Sequence, residues 1–248
     1  MRNRIAFGGM CFITGALLAT LISQRSHYWP IAYAQSNAPA EQEIFDAYHR
    51  WAYERMDRTW NVSKWLGVPV EKLPSDLWMY QEIFAERKPD VLIEAGTAYG
   101  GSAYYFASVF DALKKGRVYT IDIKKSANLP QHSRINYLLG SSTSDQIVQK
   151  IKSSIKPGER VMVSLDSDHS KAHVLRELKI YSELVTVGDY LVVEDTNVNG
   201  HPVLPTFGPG PWEAVQEFLK SDSRYQPDQS RERYGVTFNP QGYLKRLK

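Results

Sequence analysis

Four carboxylates fall into two short runs, Leu165-Asp166-Ser167-Asp168-His169 and Val193-Glu194-Asp195-Thr196, each directly after an apolar segment that reads as a buried strand. Carboxylates converging at neighbouring strand ends repel one another unless a cation joins them, and hard oxygen donors favour magnesium or a similar divalent ion. The expected metal ligands are Asp168, Glu194 and Asp195, with Asp166 the rival for the first place because it stands closer to the strand end. An imidazole titrates near neutral pH, so His169 suits a general base for a hydroxyl held on that ion. A plain helix-start histidine is the competing reading. His169 and Asp168 are thus the candidate catalytic residues.

A second constellation is Val91-Leu92-Ile93-Glu94-Ala95-Gly96-Thr97-Ala98-Tyr99-Gly100-Gly101-Ser102, an apolar strand running into a glycine-rich turn and then a helix. Glycines let backbone approach a ligand closely, and a helix N-terminus favours a carboxylate or phosphate. The G-x-x-x-G spacing differs from the G-x-G-x-x-G of dinucleotide folds. Glu94, at the strand end, suits a cationic group or the structuring of the turn. Asp122, at the end of the next strand, is placed to accept hydrogen bonds from ribose hydroxyls. Together these features point to an S-adenosylmethionine site lined by Glu94, Gly96, Thr97, Gly100, Ser102 and Asp122.

These residues need a frame that brings strand ends together. Strands are expected over Asp90–Ala95, Arg117–Ile123, Arg160–Leu165 and Tyr190–Glu194, alternating with helices over Ser102–Leu113, Ser144–Ile155, Lys171–Val187 and Pro211–Lys220. Such alternation means an α/β fold with a mostly parallel sheet covered on both faces, binding ligands at strand C-terminal ends. Tyr234–Leu247, with the turn Asn239-Pro240-Gln241-Gly242, is expected to close the sheet as an antiparallel edge hairpin. A helical, aromatic-rich stretch from Glu43 to Trp60 follows a polar linker and reads as a lid or as a surface for a homo-oligomer. The Gly200–Trp212 run, rich in proline and glycine, is expected to cover the acidic site or to serve as a rigid connector. Trp60, Trp65, Trp78 and Tyr80 are candidates for a substrate pocket, although core packing is their commoner role.

Of the 248 residues, 30 are Lys or Arg and 27 Asp or Glu, and three of the basic ones (Arg2, Arg4, Arg25) lie in the first 34. Without them the charge is balanced, which argues against a dedicated nucleic-acid binder. Cys11, the single cysteine, also lies there, so nothing downstream can form a disulfide or a thiolate metal site. Ile5 to Ile22 is uncharged and largely apolar, near the lower length for a membrane-spanning helix, while Ala32-Tyr33-Ala34 has the pattern of a signal-peptidase site. Residues 1–34 are therefore expected to be a membrane anchor or a cleaved signal peptide, followed by a linker and helical segment over 35–64 and a catalytic domain over 65–248. The basic start places that domain on the far side of the membrane from the cytoplasm, in conflict with a cytosolic cofactor.

Several chemistries are disfavoured. His169 and His173 lack the intervening glutamate of a zinc protease, no histidine is followed two places on by Asp or Glu as in a two-His-one-carboxylate iron site, and no G-x-S-x-G elbow is present.

The chain from about Trp65 onward resembles the cephalosporin hydroxylase family, which includes rhamnosyl O-methyltransferases. The resemblance rests on Lys72-Leu73-Pro74-Ser75-Asp76-Leu77-Trp78-Met79-Tyr80-Gln81-Glu82, on the Glu94–Ser102 turn, on the two acidic runs, on Gly208-Pro209-Gly210-Pro211-Trp212 and on Thr237-Phe238-Asn239-Pro240-Gln241-Gly242. It implies a Rossmann-like class I methyltransferase using S-adenosylmethionine and Mg2+. It further implies a metal on Asp168, Glu194 and Asp195, and cofactor contacts from the Glu94–Ser102 loop, Asp122 and Ser141. The expected activity is O-methylation of a hydroxyl on a sugar, glycolipid or secondary metabolite. The alternatives are an oxidoreductase, as the family name has it, and a non-catalytic membrane-tethered binding module.

Overall fold

The computed structural model describes residues 40–248; the anchor or signal expected over residues 1–34 lies outside them. Among the described residues no helix is long and apolar enough to cross a membrane.

Three segments, β3 (Val91–Ala95), β6 (Val161–Leu165) and β7 (Tyr190–Val193), are buried at every position. That is the pattern of parallel strands covered on both faces. With β4 (Arg117–Asp122) and β5 (Ile135–Leu139) they form the parallel part of a seven-stranded sheet of order β5-β4-β3-β6-β7-β9-β8. β8 (Tyr225–Pro227) and β9 (Tyr243–Arg246) complete it antiparallel. A separate ribbon pairs β1 (Lys64–Trp65) with β2 (Val68–Pro69).

The period-two alternation of strand side chains builds two cores. Val91, Ile93 and Ala95 pack with Ile151 of α4 (Asp145–Ser154), Leu178 of α5 (Lys171–Tyr181) and Phe218 of α6 (Pro211–Ser221). Leu92, Met162 and Val192 pack on the other face with Phe84 of α2 (Pro74–Arg87) and Phe106 and Phe110 of α3 (Gly101–Ala112). Each fully buried phenylalanine stabilises the fold by about 1.5–3 kcal/mol. A third cluster joins Phe45 and Tyr53 of α1 (Glu41–Glu54) to Leu73, Val236 and Phe238, so α1 is packed against the C-terminal segment.

The frame matches expectation, and four details differ. The helix from Lys171 ends at Tyr181 rather than Val187: Val185 still packs in the core, but the Thr186 N–H bonds the Val161 carbonyl and the chain turns toward β7. The N-terminal helix stops at Glu54 because the Thr59 hydroxyl bonds the Ala52 and Arg55 carbonyls. The C-terminal strands are antiparallel as expected, but β9 pairs with β8 rather than within Tyr234–Leu247, and it lies inside the sheet while β8 forms the edge. Thr237 and Phe238 cannot extend a strand because Asp76 takes the Thr237 hydroxyl at 2.6 Å and the Phe238 N–H at 2.9 Å. Finally, α2 and β5 are elements that the spacing of apolar residues did not reveal.

Candidate active site

Leaving β3 the chain runs to β4 and β5 on one side, and from β6 to β7 on the other, so a crevice opens beyond the C-terminal ends of β3 and β6. Gly96 and Asp166 face each other there. Gly96 has φ +100°, and a β-carbon on it would lie 1.7 Å from the Asp166 carbonyl oxygen, so only glycine allows the two strand ends to meet.

Three donor atoms converge beside this point. Single ligand atoms of Asp166, His169 and Asp195 all lie within 4.8 Å of one another. His169 Nε2 is 3.2 Å from Asp166 Oδ1 and 3.4 Å from Asp195 Oδ2. Although burial opposes its charge, Asp195 and Asp166 raise His169 to about 9, so its imidazolium holds the two carboxylates together. Burial, reinforced by Asp166 and Glu194, pushes the Asp195 carboxyl up to about 6 against the pull of His169. Burial acts on Asp166 in the same sense, but Lys72 and His169 overcome it and hold that carboxyl down at about 2.

The positions of the predicted ligands differ from expectation. Of Asp168, Glu194 and Asp195, the fold brings only Asp195 into the cluster, and Asp166 takes the first place. Asp168 is exposed and turned into the start of α5, where its Oδ1 accepts the Ser170 N–H at 2.8 Å. Glu194 is occupied by three donors: Tyr80 Oη and Ser164 Oγ each donate to Oε1 at 2.7 Å, and Lys72 Nζ to Oε2 at 2.5 Å. Lys72 also donates to Asp166 Oδ2 at 2.7 Å. Lys72, 4 % exposed, was missed as a site residue, because nothing in local spacing links it to carboxylates 94 and 122 positions away.

Three of the seven predicted cofactor residues line a cavity of about 540 Å3 at the ends of β3 to β6. Gly96, Asp122 and Ser141 line it, with the exposed Ile123 and with Asp168. Asp122 Oδ2 accepts the Thr97 and Ala98 N–H groups at 3.1 and 3.0 Å, and Oδ1 that of Lys124 at 2.8 Å, so this side chain also shapes the turn. Thr97 and Ser102 line a neighbouring cavity of about 330 Å3 together with Tyr53, Trp60, His169 and Asp195. Gly96, Ala98, Asp166 and Ser167 belong to both walls. Glu94 and Gly100 line neither. Glu94 is sealed in the interior, accepting the Ser102 hydroxyl at 2.5 Å while its Oε2 has no partner among the described residues, and burial pushes it up to about 7. Gly100 closes the turn, its N–H bonding the Thr97 carbonyl at 2.7 Å.

Of the expected pocket aromatics, Trp60 lines the cavity of about 330 Å3. Trp65 packs edge-on against Tyr105, Trp78 is 56 % exposed, and Tyr80 is buried on Glu194. The Gly200–Trp212 run lines a third, separate cavity instead of covering the acidic cluster.

Residues 57–247 match the family model described as Rhamnosyl O-methyltransferase/CmcI. A rhamnosyl O-methyltransferase of Mycobacterium tuberculosis (strain ATCC 25618 / H37Rv) is 39 % identical over 254 residues, covering 99 % of this chain and 98 % of the relative. That of Mycobacterium leprae (strain TN) is 40 % identical over 210 residues, covering 82 % and 90 %. Among solved structures, a CmcI with magnesium and S-adenosylmethionine has the same fold at a TM-score of 0.60 and 18 % identity, over 76 % of this chain and 78 % of that one.

Proposed function

The chain belongs to the rhamnosyl O-methyltransferase/CmcI family, and we propose that it transfers the methyl group of S-adenosylmethionine to a hydroxyl of a sugar, rhamnose foremost, with magnesium at the acidic cluster. The observation that carries this reading is that Asp166 stands in the wall shared by the two cavities, with His169 and Asp195 on the acceptor side.

The residues fit both groups. Two carboxylates and one imidazole converge, and magnesium takes one or two carboxylates and keeps several waters. Asp166 and Asp195 would hold the ion. The cavity with Asp122, Ser141 and the exposed Ile123 offers polar and apolar walls suited to a nucleoside. When bound, the ion would bind and acidify the acceptor hydroxyl.

The protein's own part is positioning and one proton transfer. Asp166 and Ser167, in both walls, fix the line from cofactor to acceptor, and near-attack alignment of this kind is worth several kcal/mol, up to ~7–11 in well-oriented systems. With the ion bound, His169 would have given up the proton that otherwise bridges Asp166 and Asp195, and the neutral ring would accept the hydroxyl proton at Nε2, the neighbouring carboxylates favouring the imidazolium that forms. Lys72 neutralises Asp166 and Glu194 from behind. Tyr53 and Trp60 narrow the cavity against water.

The relatives' name supports a rhamnosyl acceptor, and the apolar Ile5–Ile22 supports a membrane-tethered enzyme acting on a glycolipid. The test is transfer from methyl-labelled S-adenosylmethionine to rhamnosides by the purified protein, with magnesium and with chelator. A methyl ether formed only with the metal is expected. A folded sample that binds the cofactor yet methylates no sugar would overturn the acceptor class.

A further inference from the structure

A cavity of about 850 Å3 takes no part in the mechanism above. Its walls come from α1, from the Gly200–Pro202 turn with Trp212, and from the 229–240 segment. One layer of aromatic side chain separates it from the acceptor cavity. The Phe238 ring stacks on His49, which lines the large cavity, and meets edge-on Tyr53 and Trp60, which line the acceptor cavity. His49 and Tyr53 are one turn apart on α1, about 6 Å along the axis. The walls of the two cavities are therefore one helical turn apart along α1.

The lining chemistry is selective. The His201 ring stacks on Trp212 with centroids 4.2 Å apart and planes 15° apart, and its Nε2 is held 3.2 Å from Glu213 Oε1, giving a flat, fixed aromatic platform. Asp46 and Glu232 offer carboxylate oxygens, which accept hydroxyl protons well. Arg233 is the one Lys or Arg in the wall among the described residues, and it is already bound to Glu82. The negative balance disfavours phosphorylated or otherwise anionic ligands. His49, 5 % exposed, meets Asn197 Nδ2 at 3.0 Å with its Nε2, and its Nδ1 has no hydrogen-bond partner among the described residues. That nitrogen, in a wall that also carries Asp46 and Glu232, is available to hydrogen-bond a polar ligand. An apolar group would be better served by the adjoining groove of Ile44, Tyr48, Leu73 and Val236.

We propose that this cavity is a second acceptor subsite, which holds a neutral sugar residue adjacent to the one methylated and so makes an oligosaccharide, rather than a lone monosaccharide, the preferred acceptor. The inference rests on the sugar O-methyltransferase reading, and two readouts keep their failures apart. With the full chain, magnesium and labelled S-adenosylmethionine, methyl α-L-rhamnoside is compared with the methyl glycoside of a disaccharide ending in rhamnose. The disaccharide is expected to have at least a tenfold higher kcat/KM, through KM, and His201→Ala to reduce the ratio to near one; Asp46→Asn serves if that variant fails to fold. Equal kcat/KM for the two acceptors in the wild type overturns the subsite and leaves the activity standing. If neither is methylated, the activity reading falls, and saturation-transfer NMR with the unreacted disaccharide still decides the subsite. Transfer to both rings in the wild type, reduced at the second ring in His201→Ala, supports it; transfer to one ring or none overturns it.

Discussion

Asn239 Oδ1 accepts the backbone N–H of Asp195 at 3.2 Å. Asp195 has φ 53°, a left-handed conformation that costs a non-glycine residue on the order of 1–3 kcal/mol unless its surroundings enforce it. The enforcement comes from the C-terminal segment: the Thr196 hydroxyl bonds the Pro240 carbonyl at 2.7 Å and the Asn197 N–H that of Phe238 at 3.2 Å. Asp76 in turn anchors Thr237 and Phe238 from α2. Asn239→Leu keeps the size of this buried residue and removes the acceptor. It is expected to weaken magnesium binding about tenfold, or ~1.4 kcal/mol, with S-adenosylmethionine affinity unchanged. Calorimetric titration of each ligand decides, and unaltered magnesium affinity would show that Asn239 does not orient Asp195.

Lys72 joins Asp166 and Glu194 across two strand ends. Its removal leaves two carboxylates, one of them buried, without their counter-charge, and breaking a buried pair from one side costs about 3–5 kcal/mol. Lys72→Met is expected to lower the melting temperature by roughly 6–20 °C, taking about 2–4 °C per kcal/mol for a domain of this size. Adding Glu194→Gln restores part of the loss because one of the stranded charges is gone. Thermal unfolding of the single and double variants tests this, and additive losses would mean that the two residues are not coupled.

Magnesium and a proton compete for the same carboxylates. His169 is raised to about 9, so below that pH its proton bridges Asp166 and Asp195, and an ion entering between them displaces it. Apparent magnesium affinity therefore rises with pH from 6 to 9, by up to tenfold per unit for one proton. Calorimetry in buffers of different ionisation enthalpy is expected to find about one proton released per ion near pH 7 to 8. Affinity that stays flat over this range would place the ion elsewhere.

The parallel sheet was legible because β3, β6 and β7 are apolar apart from Glu94 and Ser164, and each is followed by polar residues or glycine that take up chemistry. β5 was not, since Asn136 interrupts its short apolar run and Leu139 is apolar yet exposed, so burial does not follow residue type there. Nor was α2, which buries Asp76 and leaves Trp78 outside, so its apolar residues form no clean stripe. The acidic runs were legible as a pair of strand ends, but the choice between Asp166 and Asp168 depends on where the chain turns into α5, which spacing does not encode. Lys72 and Asn239 act over separations that only the folded topology closes.

Glu94 offers a test of the buried charge beneath the cofactor turn. Its carboxyl is pushed by burial up to about 7, despite the opposing pull of Lys72 and the hydrogen bond from Ser102. A carboxyl raised above its unfolded value of about 4.3 contributes stability that is fully present below that value and is lost as pH rises through 7. Other groups titrate in the same range, so the informative quantity is the difference between the wild type and Glu94→Gln, which mimics the protonated side chain and titrates in neither state. Near pH 5 the two proteins should have similar stability. By pH 8 the wild type should be the weaker by about 2 kcal/mol, since each tenfold difference in proton affinity between folded and unfolded chains is worth ~1.4 kcal/mol and this interval spans most of two such steps. Chemical unfolding of the metal-free proteins at the two pH values measures it. A difference that does not grow with pH would mean that Glu94 is ionised throughout, with Lys72 stabilising its charge more than burial opposes it.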